Sequence, residues 1–412
     1  MTENRKTPKL RFKGFTDAWE QRKLGDVGTI TSGFMGDSLL SDGKYHLTRI
    51  ETIADGTVDE NRIGYSVRKP DDIYLLKYGD ILYSNINSIS HMGKVAKYQG
   101  KTPLYHGINL LRLEPIQTIN SDFMLYLLNT DKCRNWAKTR ANQAVSQASI
   151  NQSLLATQEI KICSTNEQQK IGQYFSRLDN LITLHQRKLD RLKNIKKSML
   201  DKMFPKDGEV VPEIRFKGFT DAWEQRKLGD LAEIRRGLTY KPGDVKASGI
   251  RVLRSSNINE EYFEIYEDDV FVDEVAINIP YVKNGDIIIT SANGSSRLVG
   301  KHAIIKNTPD NSMVHGGFML VASADEPEFL NSSMSSPWYT KFINIYVAGG
   351  NGAIGNLSKN DLDNQEILVP SIAEQQKIGT YFRTIDNLIT LHQRKLDKLK
   401  NIKKSMLDNM FV

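Results

Sequence analysis

A long internal repeat constrains this chain more than any other feature of its sequence. The segment Arg11–Asp26 (RFKGFTDAWEQRKLGD) recurs without change at Arg215–Asp230, and the 38-residue block Glu167–Phe204 returns at Glu374–Phe411 with 32 identical positions. A repeat of roughly 200 residues is too long for a solenoid or propeller array, whose units span about 20–50 residues. The sequence therefore predicts a single domain plan that occurs twice in the chain.

Two much less similar segments lie between the repeated blocks. Variable domain 1 is Val27–Asn166, with 140 residues, and variable domain 2 is Leu231–Ala373, with 143 residues. Both keep a short common skeleton, in which Lys77–Leu82 (KYGDIL) corresponds to Lys283–Ile288 (KNGDII). Gly, Asn, Ser and Asp clusters interrupt short strand-like runs in both segments. We therefore expect two small α/β domains that share a fold and carry different polar loops.

The second repeated block is typical of a long helix. Ser164 and Ser371 each stand three residues before a glutamate, which fits a capping box. Seam residues then recur with steps of four and three, as in a coiled coil. In the first copy they are Ile171, Phe175, Leu178, Ile182, His185, Leu189 and Leu192. A helix of 38 residues is roughly 57 Å long, which is more than an ordinary globular helix and favours a paired coiled coil.

The connection between the two helices indicates that they run antiparallel. A linker of about nine residues, Pro205–Glu213, leads from the first helix to the second constant block. If variable domain 2 is compact, the second helix starts near the end of the first and runs back along it. Two unrelated amphipathic surface helices are the alternative reading. His185 and His392 occupy equivalent seam positions, where a core histidine is favoured over a ligand or a pH switch.

The predicted fold is mixed α/β (α+β), with two similar variable domains separated by a pair of long antiparallel coiled-coil helices in a pseudo-twofold arrangement. The predicted boundaries are residues 1–166 for the first domain with its constant block 11–26, 167–204 for the first helix, 205–213 for the linker, 214–373 for the second domain with its constant block 215–230, and 374–412 for the second helix.

Charge and cysteine content limit the classes of protein to be considered. The net charge is +7, whereas the helical blocks alone carry +5 and +4, so the rest of the chain is slightly acidic. Nucleic acid is thus permitted as a partner but is not implied by charge alone. Two cysteines, Cys133 and Cys163, do not make a disulfide scaffold. No apolar stretch is long enough for a membrane span, and no secretory signal is visible, so we expect a cytoplasmic protein.

Catalytic motifs are weak or missing. The string Gly350–Gly355 matches GxGxxG but lacks a surrounding strand–turn–helix unit, so it reads as a loop. Glu159–Lys161 resembles the ExK of metal-dependent nucleases, but its counterpart at Glu366 lacks the lysine. No HExxH, GxSxG or Walker A pattern occurs, and the seven histidines show no metal-ligand spacing. The sequence therefore predicts neither catalytic residues nor a metal site.

The RFKGFTDAWEQRKLGD opening, the EQQKIG helix starts and the IKKSMLDxMF endings resemble the specificity subunit of type I restriction–modification systems. The resemblance covers essentially the whole chain. It implies that the variable domains are target-recognition domains, each reading one half of a bipartite double-stranded DNA site. It implies two adenine-N6 methyltransferase (modification) subunits and two restriction/translocase subunits as partners. S-adenosylmethionine, ATP and magnesium would belong to those partners, and this subunit would be non-catalytic and act in phage defence.

The resemblance also implies which loops face DNA. Family patterns place Arg49 and Arg254 there. Arg254 begins a close match to the family's Arg-x-x-Asn run, whereas Glu51 and Thr52 depart from it after Arg49. Asn, Ser and Arg side chains are suited to base edges and phosphates, although ordinary turn chemistry also explains them. The predicted DNA-binding residues are Arg49, Ser84, Asn85, Asn87, Lys94, Arg254, Ser255, Asn257, Ser291, Asn293, Arg297 and Lys301.

Two other classes of function stay open at this stage. One is a coiled-coil scaffold that binds only protein partners, which would show no specific binding to duplex DNA. The other is a self-sufficient DNA-modifying enzyme, which would act on DNA when purified alone with S-adenosylmethionine or magnesium.

Overall fold

The computed structural model describes residues 7–36, 40, 42–53, 56–100, 102–143, 148–347 and 356–412. The chain divides into two compact units, Met1–Gln186 with Arg394–Val412, and Arg187–Gln393. Each long helix therefore contributes one part to each unit. No helix among the described residues is both long and apolar enough to cross a bilayer.

Unit 1 is built from short strands. Its strands are β1 (Glu20–Lys23), β2 (Gly28–Ser32), β3 (Tyr45–Leu47), β4 (Gly56–Thr57), β5 (Gly64–Ser66), β6 (Ile81–Tyr83), β7 (Ile86–Asn87), β8 (Val95–Lys97), β9 (Leu111–Pro115), β10 (Asn142–Gln143), β11 (Ala148–Ser149) and β12 (Glu159–Ile162). Its helices are α1 (Leu24–Val27), α2 (Ser121–Leu128), α3 (Asp131–Arg140), α4 (Gln152–Ala156) and the first part of α5 (Thr165–Lys202). Short 3₁₀ helices span Ile50–Thr52 and Asp72–Tyr74. The main sheet has the order β2-β9-β6-β8-β4, and every pairing in it is antiparallel except the parallel pairing of β4 with β8.

Unit 2 repeats this plan with a different periphery. Its strands are β13 (Glu224–Lys227), β14 (Ala232–Arg236), β15 (Val245–Lys246), β16 (Ile250–Leu253), β17 (Ile258–Asn259), β18 (Tyr262–Phe263), β19 (Val270–Val272), β20 (Ile287–Thr290), β21 (His302–Ile304), β22 (Met313–His315), β23 (Met319–Ala324) and β24 (Glu366–Val369). Its helices are α6 (Pro327–Met334), α7 (Pro337–Val347), α8 (Lys359–Asn364) and the first part of α9 (Ile372–Met410). Its 3₁₀ helices are Leu228–Asp230, Pro242–Asp244, Ser255–Asn257, Glu274–Ala276 and Ser296–Leu298. The order β14-β23-β20-β21 matches β2-β9-β6-β8 of unit 1, which confirms a shared fold.

The identical constant blocks have a structural reason. Strand β1 pairs with β12 and strand β13 pairs with β24, so each block adds a strand beside the start of a long helix. Arg11 binds both carboxylate oxygens of Glu167 at 2.6 and 2.8 Å, and Arg215 binds those of Glu374 at 2.7 Å each. The carboxylates that the sequence predicts as helix caps are thus engaged by arginine from the constant block.

The two long helices confirm the predicted heptad seam. In α5 the seam positions Ile171, Phe175, Leu178 and Leu189 are buried. Within unit 1, Lys403 contacts Asp179 at 2.6 Å and Phe411 packs on Phe175, so the residue numbers fall on one helix as they rise on the other. Within unit 2, Lys196 contacts Asp386 at 2.7 Å and Phe204 stacks on Phe382 in the same sense. The helix segments are therefore antiparallel in each unit.

Candidate nucleic-acid interface

Arg49 and Arg254 occupy the same position in the two domains. Each directly precedes a 3₁₀ helix, Ile50–Thr52 or Ser255–Asn257. The backbone N–H of Arg49 donates to Thr52 Oγ1 and that of Arg254 donates to Asn257 Oδ1, both at 2.8 Å. Thr52 therefore replaces Asn257 as the acceptor. The departure from the family pattern after Arg49 leaves the local geometry unchanged.

Asn257 is placed to support this loop. Its side chain is fully buried, and its amide donates to Glu264 O at 3.0 Å and to Asp269 Oδ1 at 2.9 Å. Arg251 binds the same Asp269 carboxylate at 2.5 Å. The buried Asn257 side chain is therefore not available to DNA in this structure. It instead holds the backbone of the exposed Arg254, whose N–H donates to Asn257 Oδ1.

The hairpin loops after the central strands also correspond. Ser84 N–H donates to Lys94 O at 2.8 Å, and Thr290 N–H donates to Lys301 O at 2.8 Å. Gly93 and Gly300 precede the lysines with φ of +75° and +83°, a conformation that favours glycine. The Gly-Lys pair that occurs in both segments is therefore required by the backbone of the hairpin. It places Lys94 and Lys301 at equivalent positions in the two domains.

Several of the predicted DNA-binding residues support the backbone of the hairpin loops. Ser84, Asn85 and Ser291 are buried, and Asn85 Nδ2 donates to Ile150 O at 3.1 Å. The partly buried Asn87 donates to Ser84 Oγ at 3.2 Å. These side chains hold the loop, whereas side chains further along it are exposed.

In variable domain 2 the structure brings the Arg254 segment and the hairpin loop together. Asn293 Nδ2 donates to Ser255 Oγ at 2.9 Å, and Arg297 is exposed on the 3₁₀ helix of the same loop. Lys301 lies elsewhere, in a groove beside α5 that Lys193 and Lys197 also line. The candidate surface of this domain is therefore formed by Arg254, Ser255, Asn293 and Arg297.

In variable domain 1 Arg49 lines a groove together with Phe34, Tyr65 and Asn109. Its guanidinium also donates to Leu40 O at 2.8 Å, so part of its hydrogen-bonding capacity is used within the domain. Lys94 is partly buried at the end of the hairpin. Arg49 is accordingly less available than the exposed Arg254.

Two buried histidines, which no sequence pattern predicts, make the same backbone contact in the two domains. The carbonyl of His106 accepts Phe34 N–H and that of His315 accepts Leu238 N–H, both at 2.7 Å. Burial lowers the pKa of each imidazole from 6.5 to about 4. Both rings are thus neutral near pH 7. Sequence spacing alone could not reveal that these two histidines are equivalent, because long-range contacts place each one in its domain.

The shared KYGD and KNGD runs form turns whose aspartates, Asp80 and Asp286, are buried. Asp80 contacts Arg112 Nε at 2.8 Å, and Asp286 contacts Arg235 Nη2 at 2.9 Å. Burial raises the pKa of the Asp80 carboxyl, while Lys77 N–H and the Arg112 charge oppose that rise. Each ion pair ties the turn before the central strand to another strand of the same sheet.

The weak catalytic motifs are not assembled into a site by the fold. The Gly350–Gly355 string lies outside the described residues. Glu159 and Lys161 belong to strand β12, which pairs with the constant block. Across the part of the chain that the structure describes, His, Cys, Asp and Glu side chains form no group of three or more suited to a metal ion.

Two α/β domains with the same strand order, each with an arginine directly before a 3₁₀ helix and each joined to a long helix, define a duplicated α/β protein. Residues 16–194 and 220–401 match the family model described as type I restriction modification DNA specificity domain. The chain belongs to this family, as a type I specificity subunit.

Individual relatives agree with that assignment. A putative type I restriction enzyme MjaX specificity subunit from Methanocaldococcus jannaschii is 30% identical over 405 residues, covering 95% of this chain and 92% of the relative. The EcoKI specificity subunit of Escherichia coli K12 is 25% identical over 191 residues, covering 44% and 40%. The crystal structure of an S subunit from M. genitalium has the same fold, with a TM-score of 0.62, 17% identity and coverage of 98% and 99%.

Proposed function

We propose that this chain is the DNA sequence-recognition subunit of a type I restriction–modification complex, and that each variable domain reads one half of a bipartite target. The observation that carries the proposal is the equivalence of Arg49 and Arg254, which stand before matching 3₁₀ helices in one shared frame. The side chains around the two arginines differ, so the same frame presents two different surfaces. Two unlike surfaces on one frame are suited to two unlike half-sites.

The chemistry of the loops supports direct reading of bases. An arginine side chain forms bidentate hydrogen bonds with guanine O6 and N7, and asparagine does so with adenine N6 and N7. In variable domain 2 the exposed Arg254 and the partly exposed Asn293 lie on adjoining segments that Ser255 links. Exposed Arg297 adds a positive charge for phosphate contact. This combination positions the protein on the backbone and reads base edges.

The long helices are proposed to space the half-sites and to dock the modification subunits. Leu181 and Leu184 of α5 are 44% and 47% exposed, and the equivalent Leu388 and Leu391 of α9 are 39% and 45% exposed. Two identical sets of exposed leucines are suited to two copies of one partner. Two modification subunits and two restriction/translocase subunits are accordingly proposed as partners.

Chemistry is assigned to those partners in this proposal. S-adenosylmethionine would belong to the modification subunits, and ATP and magnesium to the restriction subunits. Family membership supports a non-catalytic role for this chain, as does the sequence, which offers no recognisable active-site motif. The chain would act in the cytoplasm as part of a phage-defence complex.

Assays with and without the partner test the proposed function. The purified chain should bind DNA weakly and transfer no methyl group when given S-adenosylmethionine. With the modification subunit it should bind one duplex sequence specifically, and affinity should fall steeply with salt because phosphate contacts release counterions. Methylation by the lone chain, or no specific binding by the assembled complex, would overturn the proposal.

A further inference from the structure

Phe318 is an exposed aromatic side chain in the turn directly before strand β23. Strand β23 begins one residue later, at Met319. The phenyl ring is 74% exposed, whereas Met319 and Leu320 are buried. A single exposed apolar residue is common on protein surfaces and means little by itself. Phe318 is of interest because of the segments that surround it.

Hydrogen bonds fix the turn between the two segments of the candidate DNA surface. On one side, Gly316 N–H donates to Leu253 O at 2.9 Å, directly before Arg254. On the other, Phe318 O accepts from Ser291 N–H at 2.9 Å and from Ala292 N–H at 3.1 Å. The ring therefore projects from a rigid backbone between the Arg254 segment and the hairpin loop.

Variable domain 1 has the same turn with a different side chain. Gly107 corresponds to Gly316, because each bridges a matching segment, Phe34 or Leu238. Counting two residues onward aligns Asn109 with Phe318. Asn109 lines the groove that also contains Arg49. The position therefore lies beside the candidate arginine in one domain and between the candidate loops in the other.

We propose that this position reads a base in each half-site and that Phe318 contacts the 5-methyl group of a thymine in the major groove. The proposal rests on the proposed function. The thymine methyl is the apolar group that base edges present there, and phenylalanine is among the side chains that contact it. Asn109 carries an amide suited to adenine N6 and N7. The two domains thus differ in chemistry at one shared reading position.

Replacement of thymine by uracil removes only the methyl group and tests the contact. The protein is the full chain with its modification subunit, and the duplex carries its methylation site, with uracil replacing each thymine in turn. One position in the half-site of variable domain 2 should bind about four-fold more weakly, the equivalent of one buried methyl-sized group. Phe318→Ala should abolish this uracil effect, while Val275→Ala, at a side chain 93% exposed, should preserve it.

The outcomes separate this inference from the proposed function. Specific binding that tolerates uracil at every thymine of that half-site would overturn the inference and leave the function intact. Loss of modification-subunit binding in a folded Phe318→Ala chain would instead make the ring a protein contact and also overturn it. No specific duplex binding by the unaltered complex would overturn the proposed function itself. Phe318→Asn should shift the preferred base at this position from thymine towards adenine, and an unchanged preference would count against the inference.

Discussion

Replacing Arg215 with methionine should destabilise unit 2 by about 3–5 kcal/mol, the usual cost of stranding one member of a buried ion pair. Arg215 binds both oxygens of Glu374 at 2.7 Å. The Glu374 side chain is 1% exposed and that of Arg215 is 12% exposed, so water cannot replace the lost guanidinium. For a unit of this size, each kcal/mol lowers the melting temperature by about 2–4 °C. The expected drop is therefore about 6–20 °C.

Calorimetry and hydrogen exchange along the start of α9 measure this effect. The double variant Arg215→Met/Glu374→Met removes both charges and should recover most of the loss, because apolar replacement of a buried pair is often neutral. Arg226→Met is the matched control, since Arg226 is an exposed arginine of the same constant block. It should change stability by no more than about 0.5 kcal/mol. A loss below about 1 kcal/mol in Arg215→Met, or a double variant as unstable as the single one, would refute the reasoning.

Three further predictions concern the helices and the pH response. Gly379→Ala should cost about 1–3 kcal/mol in urea unfolding despite the higher helix propensity of alanine, because the new Cβ would lie 2.9 Å from Glu328 Cβ. His315 has its pKa lowered to about 4 by burial, so the unfolded chain takes up its proton first as pH falls below 6.5. Acidification from pH 7 to pH 5 should therefore cost about 2 kcal/mol at this group, and His315→Gln should flatten that part of the stability profile. Inserting one heptad at Leu189 and one at Leu396 adds about 10 Å of helix and should lengthen the preferred gap between half-sites by at most about three base pairs, read out by methylation of duplexes with graded gaps. An active variant that keeps the parental gap would contradict the spacing role.

The architecture of this protein was accessible from sequence because its signals are local or repeated. The heptad seam predicts which face of α5 is buried, and near-identity of the helical blocks predicts that they meet equivalent partners. The helices begin at Thr165 and Ile372, within two residues of the predicted starts.

The reading surface was less accessible because long-range contacts decide which side chains face outward. Asn257 and Arg254 look equally polar in the sequence, but the Asn257 amide is buried and donates a hydrogen bond to Asp269. Thr52 and Asn257 look unlike, yet each supplies one oxygen at the same point. Phe318 reads as a strand residue because it precedes an apolar run. None of these outcomes follows from local propensity.

Exchange of variable domain 1 tests most directly whether each variable domain reads one half-site independently. Val27–Asn166 is replaced by the corresponding segment of another family member, and single-molecule sequencing then identifies the methylated bases in a strain that carries the hybrid with its partner subunits. If each domain reads its own half-site, one half-site changes while the other stays as in the parent. Methylation in which both half-sites change, or neither does, would contradict independent reading by the two domains.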